Sequence, residues 1–254
     1  MTALDHRPSV DPALRVLPTA LIDALDLSAD NLTTIEPGRH AVEDGTVLDA
    51  IFLIVDGWAT SQMTINTGDS QTLDIMGPGT IAGLCRLDDV SLAAYSVTIL
   101  QKVYAYRMDV GALTTACSQD EALSRWLSTL LVRQSQKTQR HLTALGQLPA
   151  RGRLAFVMLR ILAVAQQMGQ PNHGHAIPLP MTQDIIGNML GLTNVSVSKI
   201  MTSFRKDGLI DYSRSRFIIK NVAALSDICG MTPEDIPSHL SPIGFDDAAR
   251  IPVD

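Results

Sequence analysis

Short apolar runs separated by glycines dominate the chain from residue 35 to about residue 117. The runs are rich in β-prone residues and recur about every ten positions, at 50–57 (AIFLIVDG), 59–69 (ATSQMTINTGD), 72–79 (TLDIMGPG) and 95–108 (YSVTILQKVYAYRM). This spacing predicts an antiparallel sandwich or barrel. The glycines between and within the runs are interpreted as turn residues: Gly38, Gly45, Gly57, Gly68, Gly77, Gly79 and Gly83. Upstream, residues 1–30 predict a loose lead-in with one short amphipathic helix near 19–27.

The pattern then changes to that of one long helix over 120–145. Its seam is apolar at both ends and polar in the middle, and a heptad-like seam on a helix too long for one small sheet predicts pairing with a second copy. The expected interface residues are Leu123, Leu127, Leu130, Gln134, His141 and Leu145. Lys137 or Thr138 occupies the seam between Gln134 and His141. The alternative is that the helix packs on its own sheet.

A Leu-Pro break at 148–149 precedes a strongly apolar helix over 153–167 and a loop over 168–176. Two short helices follow. Thr182 is placed to cap the first, Gly191 to end it and Thr193 to cap the second. Two short helices joined by a tight glycine turn predict a helix-turn-helix.

The second short helix has one apolar and one polar side. At about 100° per residue, its apolar side groups Val197, Ile200, Met201 and Phe204 toward the core. The opposite side carries amide, hydroxyl and ammonium groups, which suit base edges in a major groove. The residues predicted to contact bases are Asn194, Val195, Ser198, Lys199 and Thr202. The residues predicted to contact phosphate are Thr182, Thr193, Ser196, Arg205, Lys206, Arg214 and Arg216.

The last two of these arginines lie in the segment LIDYSRSRFIIK, residues 209–220, which predicts two short strands around an arginine-bearing turn. Such a hairpin can lie along the DNA backbone as a wing. The alternative is that both arginines are solvated turn residues. Beyond Asn221 we expect a short helix to about residue 228 and then a partly ordered acidic tail.

Charge is unevenly distributed over the 254 residues, whose net charge is −6. Residues 147–225 carry a net charge of +6, against −7 for the preceding and −5 for the following segment. A compact basic segment in an acidic chain is the electrostatic pattern of a nucleic-acid-binding module, although a solvated basic face gives the same pattern. The sequence lacks a signal-peptide pattern and an apolar run of about 20 residues, so a cytoplasmic protein without a membrane span is expected. Cys85, Cys117 and Cys229 are too scattered for a disulfide framework or zinc site.

Residues 180–210 resemble the winged helix-turn-helix of the Crp/Fnr regulators; their sequence is PMTQDIIGNMLGLTNVSVSKIMTSFRKDGLI. The elements in common are TQ at the first helix, GLT at the turn, V-x-K in the second helix and GLI before the wing. The upstream strands, including IFLIVDGWA, resemble the β-roll sensor domain of that family, and the helix near 120–145 resembles its dimerisation helix. The resemblance covers roughly residues 33–222.

The resemblance implies an α+β protein with an N-terminal antiparallel β-roll, a long dimerisation helix and a C-terminal winged helix-turn-helix. The corresponding segments are 1–118, 119–147 and 148–222, followed by an acidic tail over 223–254. It also implies a homodimeric, non-enzymatic transcription regulator on an inverted-repeat operator. Expected partners are double-stranded DNA, a second copy and RNA polymerase.

The sensor region departs from the ligand-binding members of the family. Gly83 is followed by Leu84 where cyclic-nucleotide binders have an acidic residue, and the Arg-Ser place holds Ala94-Tyr95-Ser96 or its neighbours, without a cation. An anionic phosphate there would be poorly compensated. The N-terminal cysteine cluster of the iron–sulfur members is also missing. No cofactor or metal is therefore expected, and the effector is not assigned.

Three alternatives remain open from the residues, one of which is a protein-interaction module that has lost DNA binding. A cupin-like metal-dependent enzyme needs several histidines and a carboxylate on adjacent strands, whereas the β-rich region holds only His40. A redox-sensing regulator would use a thiol, Cys85 or Cys117, or haem bound by His40 or His141.

Overall fold

The computed structural model describes residues 14, 17–28, 32–65, 68–84, 92–167, 176–178, 181–213 and 216–230. The first half contains α1 (Thr19–Ala24), β1 (Leu32–Ile35), β2 (His40–Val42), β3 (Ala50–Thr64), β4 (Ser70–Met76), β5 (Ile81–Ala82), β6 (Ser96–Asp109) and α2 (Val110–Gln119). The second half contains α3 (Glu121–Gln147), α4 (Ala150–Gln167), β7 (Ala176–Pro178), α5 (Gln183–Leu190), α6 (Asn194–Lys206), β8 (Ile210–Ser213), β9 (Arg216–Ile219) and α7 (Val222–Cys229).

The N-terminal half is an antiparallel sheet, as the glycine-separated runs predict. Its strand order is β1-β6-β3-β4, with β2 paired to β6 and β5 paired to β3. The long strands β3 and β6 form its centre, and their register shifts three times between Ile54 and Ala59. These irregularities bend the two strands together, because a bulge adds local twist. On this sheet order β4 is the last strand, so one of its edges faces away from β3.

Gly57 was predicted to lie in a turn, and the structure places it inside a strand instead. The runs at 50–57 and 59–69 form one continuous strand, β3, and Gly57 lies inside it with φ of 97°. A Cβ atom at this position would lie 2.1 Å from the carbonyl oxygen of Lys102 on β6. Glycine is therefore required here for a close approach between two strands within a bulge, and it does not end the strand.

Two aspartates start the helices that leave the sheet. Asp109 accepts a hydrogen bond from the backbone of Ala112 at 2.8 Å and caps α2, an element that the sequence pattern did not predict. Asp120 accepts from the backbone of Ala122 at 2.7 Å and caps α3. The predicted long helix is thus confirmed, with bounds two residues wider at its C-terminal end.

The seam of α3 faces its own chain rather than solvent, which differs from the predicted dimer interface. Leu123, Leu127 and Leu130 are buried against the sheet and α2. Farther along, His141 is buried, and Leu145 packs against the C-terminal half. The heptad-like pattern did not distinguish between an intramolecular and an intermolecular partner, since both bury the same stripe.

Away from the buried seam, α3 keeps three large apolar residues exposed in the single chain. Leu131 is 41%, Val132 is 56% and Leu142 is 61% exposed. At 100° per residue, Leu131 and Leu142 lie within about 20° of one another around the helix axis, together with the small residue Ser135. This face, defined by Leu131, Ser135 and Leu142, is called the α3 outer face below.

The C-terminal half packs around α4, an apolar helix that is buried over most of its length. Helices α5, α6 and α7 surround it, and β7, β9 and β8 form a three-stranded antiparallel sheet beside them. Leu225 and Cys229 of α7 are buried in this core. Helix α7 therefore belongs with the C-terminal half rather than with the predicted tail, whose residues 231–254 lie outside the described residues. Strand β7 is a further element that the sequence pattern did not predict.

In the part of the chain that is described, no helix has both the length and the apolar character needed to cross a bilayer.

Candidate nucleic-acid interface

Helices α5 and α6 form the helix-turn-helix that the glycine turn predicts. Thr182 accepts a hydrogen bond from the backbone of Ile185 at 3.3 Å, and Thr193 accepts one from the backbone of Ser196 at 3.2 Å. Both threonines thus cap their helices as expected. Gly191 ends α5 in the left-handed conformation, with φ of 62°. Positive φ suits glycine because it has no Cβ atom.

A second glycine sets how tightly the two helices meet. The backbone of Leu192 donates to the carbonyl oxygen of Gly187 at 2.8 Å, which folds the turn back on α5. A Cβ atom at Gly187 would lie 2.5 Å from the carbonyl oxygen of Leu192. Because the obstacle is backbone, a larger residue at this position would push α5 and the turn apart. The sequence offered no signal for this requirement beyond the glycine itself.

The inner side of α6 is the side predicted from its angular pattern. Val197, Met201 and Phe204 are buried, and Ile200 is half-buried against the same core. Burial of this side fixes the rotation of the helix about its axis. The opposite side must therefore face solvent.

The outer side of α6 brings together the five residues predicted to contact bases. They line one shallow, open concavity: Asn194, Val195, Ser198, Lys199 and Thr202. Val195 is 62% exposed. An apolar side chain held in solvent gains nothing in the free protein, but it can meet a thymine methyl group in a major groove.

Not all polar groups on this side are free. Asn194 donates its amide to Asp184 of α5 at 2.6 Å, and its amide oxygen remains an acceptor. Thr202 donates to the carbonyl oxygen of Ser198 at 2.9 Å, as a hydroxyl within a helix commonly does. Lys199 is exposed and has no ion-pair partner within the described residues. It is therefore the strongest donor available to a base on this side.

The two cations at the end of α6 differ in their surroundings. Arg205 Nε lies 3.1 Å from Asp211 Oδ1 on β8, and its guanidinium group lies 5.5 Å from the centre of the Tyr212 ring. Arg205 thus braces α6 against the predicted wing, a role that the sequence did not indicate. Lys206 is exposed at the end of the helix. Ser196 is half-buried beside Thr193, with the two hydroxyl oxygens 2.9 Å apart.

Asp211 forms ion pairs with two cations, Arg205 and Lys220. Lys220 Nζ lies 3.4 Å from its second carboxylate oxygen. The pKa of Asp211 is lowered from its ordinary value, first by the hydrogen bond from the backbone of Tyr212 and then by Lys220 and Arg205. Part of the positive charge of the basic segment is therefore offset at the base of the wing.

Arg151 forms a second brace that sequence reasoning missed. Its guanidinium group donates to Ser203 Oγ and to Asp207 Oδ2, each at 2.6 Å, and lies 4.6 Å from the centre of the Phe204 ring. These contacts join the start of α4 to the end of α6. The hydrogen bond from Arg151 is the largest cause that lowers the pKa of Asp207.

The predicted wing is present as strands β8 and β9. Ser213 pairs with Arg216 at the end of the two strands. Arg214 lies outside the described residues, and for Arg216 the structure describes the backbone alone. Their contact with phosphate stays a prediction.

Arg160 of α4 lies far from the outer side of α6, in a cavity between the two halves of the chain. The cavity has a volume of about 520 Å³ and is lined by Asp74 of β4, Lys137 and His141 of α3, and Arg160 of α4. Leu84 and Tyr95, which belong to the segment whose sequence departs from that of the cyclic-nucleotide binders, also line it. The sequence comparison found no cation at the Arg-Ser place, whereas the structure brings cations to this cavity from two helices. Periodicity of the sheet residues alone could not have revealed them.

Asp74 is the charged centre of this cavity. Arg160 and Lys137 each form an ion pair with it, one to each carboxylate oxygen. Burial alone would raise the pKa of Asp74, but Arg160 and Lys137 outweigh that effect and hold the pKa below its ordinary value. Burial lowers the pKa of Lys137, and Asp74 opposes that change.

The structure places the residues considered for haem or redox chemistry in different surroundings. His40 is exposed, with Nδ1 3.1 Å from Thr98 Oγ1, and His141 packs against Phe156 with 6.0 Å between ring centres. Burial raises the pKa of the Cys117 thiol, and Asp120 raises it further. Cys85 lies outside the described residues. Within the described ranges, no three His, Cys, Asp or Glu side chains are grouped so as to hold a metal ion.

Comparison with known proteins agrees with this architecture. Residues 152–228 match the Crp-like helix-turn-helix domain family. The chain is 23% identical over 214 residues to the transcriptional regulatory protein btr of Bordetella pertussis, covering 84% of this chain and 87% of that protein. It is 26% identical over 192 residues to a CRP-like cAMP-activated global transcriptional regulator of Mycobacterium tuberculosis, covering 75% and 84% of the two chains.

Its fold is similar to that of FixK2 from Bradyrhizobium japonicum, with a TM-score of 0.69 at 18% identity, over 78% of this chain and 96% of that one. The sheet, the long helix and the winged helix-turn-helix are together the fold shared with this structure. The chain is similar to transcription regulators of the Crp/Fnr family, most directly through its helix-turn-helix domain. The predictions of fold class, family and general function are thereby confirmed, and they are favoured over a cupin-like enzyme.

Proposed function

We propose that this chain acts as a homodimer, in the cytoplasm, on an inverted-repeat operator, with α6 of each protomer in a major groove. The observation that carries the proposal is the outer side of α6, where Lys199, Asn194 and Val195 face solvent around a helix whose rotation is fixed by its buried side. The N-terminal residues of a recognition helix usually reach the bases. Asn194, Val195 and Lys199 are therefore the residues that set sequence preference, with Ser198 and Thr202 beside them.

Phosphate contacts come from the rim of this surface. Lys206 is exposed at the end of α6, and the capping residues Thr182, Thr193 and Ser196 surround the helix N-termini, where backbone amides favour an anion. Arg205 is held by Asp211 in the free protein, so its contact with phosphate requires it to share or leave that carboxylate. Arg214 and Arg216 are proposed to contact the backbone from the wing.

Dimerisation is proposed to use the α3 outer face, in place of the seam predicted from the sequence. Four of the six seam residues are already buried inside the chain and Gln134 and Leu145 are half-buried, whereas Leu131 and Leu142 are exposed on one face of a 27-residue helix. Two such faces packed together would bury these leucines and bring the small residue Ser135 to the contact, which allows close approach. Two recognition helices that enter successive major grooves lie about 34 Å apart, which is the spacing that a two-fold axis at this face must provide.

Selection of DNA from a random pool by the purified chain tests the proposal. We expect enrichment of an inverted repeat whose half-sites are about 10 base pairs apart, centre to centre. A duplex with one half-site scrambled should bind much more weakly than the intact repeat. Enrichment of a single, non-repeated site, or of no particular sequence, would contradict the proposal that a homodimer binds an inverted repeat. Regulation through RNA polymerase is a further expectation, tested by transcription from a template that carries the selected site.

A further inference from the structure

Strand β4 is the place where the sheet meets the DNA-binding half. It is the last strand in the sheet order, and one of its edges is not paired with another of the described strands. Backbone groups on a free strand edge need partners, and proteins commonly cover such edges. Here the cover is the first helix of the helix-turn-helix.

Asn188 of α5 acts as a substitute for a neighbouring strand. Its amide nitrogen donates to the carbonyl oxygen of Ser70 at 2.5 Å, and its amide oxygen accepts from the backbone N–H of Thr72. A side-chain amide has one donor and one acceptor side, and both are used on the same strand edge. Gln71 adds a third contact by donating to the carbonyl oxygen of Asn188 at 2.6 Å.

Two residues farther along β4, Asp74 joins three parts of the molecule at one carboxylate. Its ion pairs reach Lys137 on α3 and Arg160 on α4, and all three side chains are largely buried. A pair of this kind is strong only with good geometry and further hydrogen bonds. The backbone N–H of Ile75 supplies one, at 2.7 Å from Asp74 Oδ1.

These contacts are made by the two helices, α4 and α5, that hold α6 in place. Asn188 lies near the end of α5, directly before the turn into α6, and Arg160 lies on α4, against which the buried side of α6 packs. Between α3 and α4 the chain has only a short hinge at residues 148–149. Two halves joined by a short hinge are expected to move relative to one another unless their interface holds them.

We propose that Asn188 and Asp74 form a clasp that docks the DNA-binding half on the edge of β4 and sets the position of α6 relative to α3. They are positioning residues, since neither faces the DNA-binding surface. The consequence for DNA rests on the proposed function, because the distance between two recognition helices depends on how each is held on the dimer. Strand β4 also forms a wall of the 520 Å³ cavity, so a change in that wall reaches α6 through the clasp.

The test measures the distance between the two halves in the full-length protein. Spin labels are attached at Gln101→Cys on β6 and Asp227→Cys on α7, two exposed positions, in a Cys85→Ser background, while the buried Cys117 and Cys229 are kept. Labelled chain is diluted with unlabelled chain so that each dimer carries one labelled protomer. Pulsed electron-spin measurements then give the distribution of one intramolecular distance.

Asn188→Ala should broaden this distribution, and Asn188→Asp should broaden it too, because the carboxylate cannot donate to Ser70. Asn194→Ala is the matched control: its amide bonds only within the helix pair, so the distribution should stay narrow. Asp74→Asn leaves Lys137 and Arg160 without their carboxylate and can unfold the chain. Circular dichroism is therefore recorded for every variant. If Asp74→Asn is unfolded, the distance distribution of Asn188→Ala decides the test. A narrow, wild-type distribution in folded Asn188→Ala would overturn the clasp.

The second readout is affinity for the DNA site selected by the unmodified protein. Asn188→Ala should change that affinity by at least threefold, and the sign shows whether the clasped position is the one that binds DNA. Unchanged affinity together with a broadened distance would overturn the positioning role. Because the distance is measured without DNA, failure of the clasp is distinguishable from failure of the proposed DNA-binding function.

Discussion

Asp74 on β4 and Arg160 on α4 form a buried ion pair although 86 positions separate them in the chain. The pair joins the sheet to the DNA-binding half, and Lys137 of α3 shares the same carboxylate. Buried ion pairs add little stability relative to apolar packing, but removal of one member leaves an uncompensated charge. The effect of this cluster on the free energy of unfolding can therefore be measured only by removing one of its members.

Asp74→Asn should lower the free energy of unfolding by about 3 kcal/mol at pH 7, because Lys137 and Arg160 lose their common counter-ion inside the protein. Urea denaturation monitored by circular dichroism measures the change. The matched control is Asp49→Asn, which removes the same charge from an ion pair with Arg107 whose Asp49 side chain is 76% exposed. Exposed pairs contribute little, so the control should be nearly neutral. Equal effects of the two substitutions would argue against a special role for Asp74.

His141 should make stability depend on pH above the range where carboxylates titrate. Burial first, and Arg160 next, lower its pKa from 6.5 to about 4, and Lys137 adds to this while Asp74 opposes it. Between these two values the unfolded chain binds a proton that the folded chain does not, so stability is complete above about pH 6.5 and falls as pH decreases. From pH 7.5 to 5 the loss attributable to His141 should be about 2 kcal/mol.

His141→Gln should remove this slope, as measured by urea denaturation at several pH values. Phe156→Leu alters the packing against the same ring without a titrating group. It should lower stability by a similar amount at every pH and keep the slope. A slope that persists in His141→Gln would assign the pH dependence to other groups.

How far the sequence predicts the structure depends on whether a pattern has one physical solution or several. The helix-turn-helix was predictable almost to the residue, because Thr182, Gly191 and Thr193 impose local backbone geometry and Val197 and Phe204 can only face inward. The seam of α3 was recognised as a buried stripe, but Leu123 and Leu127 bury themselves equally well against a sheet or a second copy. Periodicity fixes which face is buried, and it does not identify the partner.

Contacts between the two halves were invisible for a different reason. Asn188, Asp74 and Arg160 are single polar residues within apolar or mixed segments, and nothing local distinguishes them from solvated positions. The same holds for Arg151, which raised the count of positive charge attributed to DNA binding although it joins α4 to α6. Charge totals along a segment overstate the free positive surface wherever cations are used as internal braces.

The α3 outer face gives a prediction about assembly. Leu142→Asp should shift the protein from dimer to monomer at micromolar concentration, because a carboxylate would be buried opposite its own copy across a two-fold axis. Sedimentation equilibrium measures the association constant. Gln136→Asp introduces the same charge on α3 about 120° away from Leu142 around the helix axis, and it should leave the dimer intact. A dimer that survives Leu142→Asp, or dissociates equally with Gln136→Asp, would place the interface elsewhere.

Lys199 gives the sharpest prediction about DNA. It is exposed and without an ion-pair partner in the described part of the chain, so Lys199→Ala should weaken binding to the selected operator by about 1–3 kcal/mol, roughly five- to 150-fold, and relax base preference at one position of each half-site. Lys206→Ala, at the end of the same helix, is the matched control. It removes the same charge near phosphate, and should weaken binding to all sequences alike and reduce the salt dependence of binding. Repeated selection with each variant separates the two outcomes: a changed consensus is expected for Lys199→Ala alone, and an unchanged consensus there would mean that Lys199 contacts the backbone rather than a base.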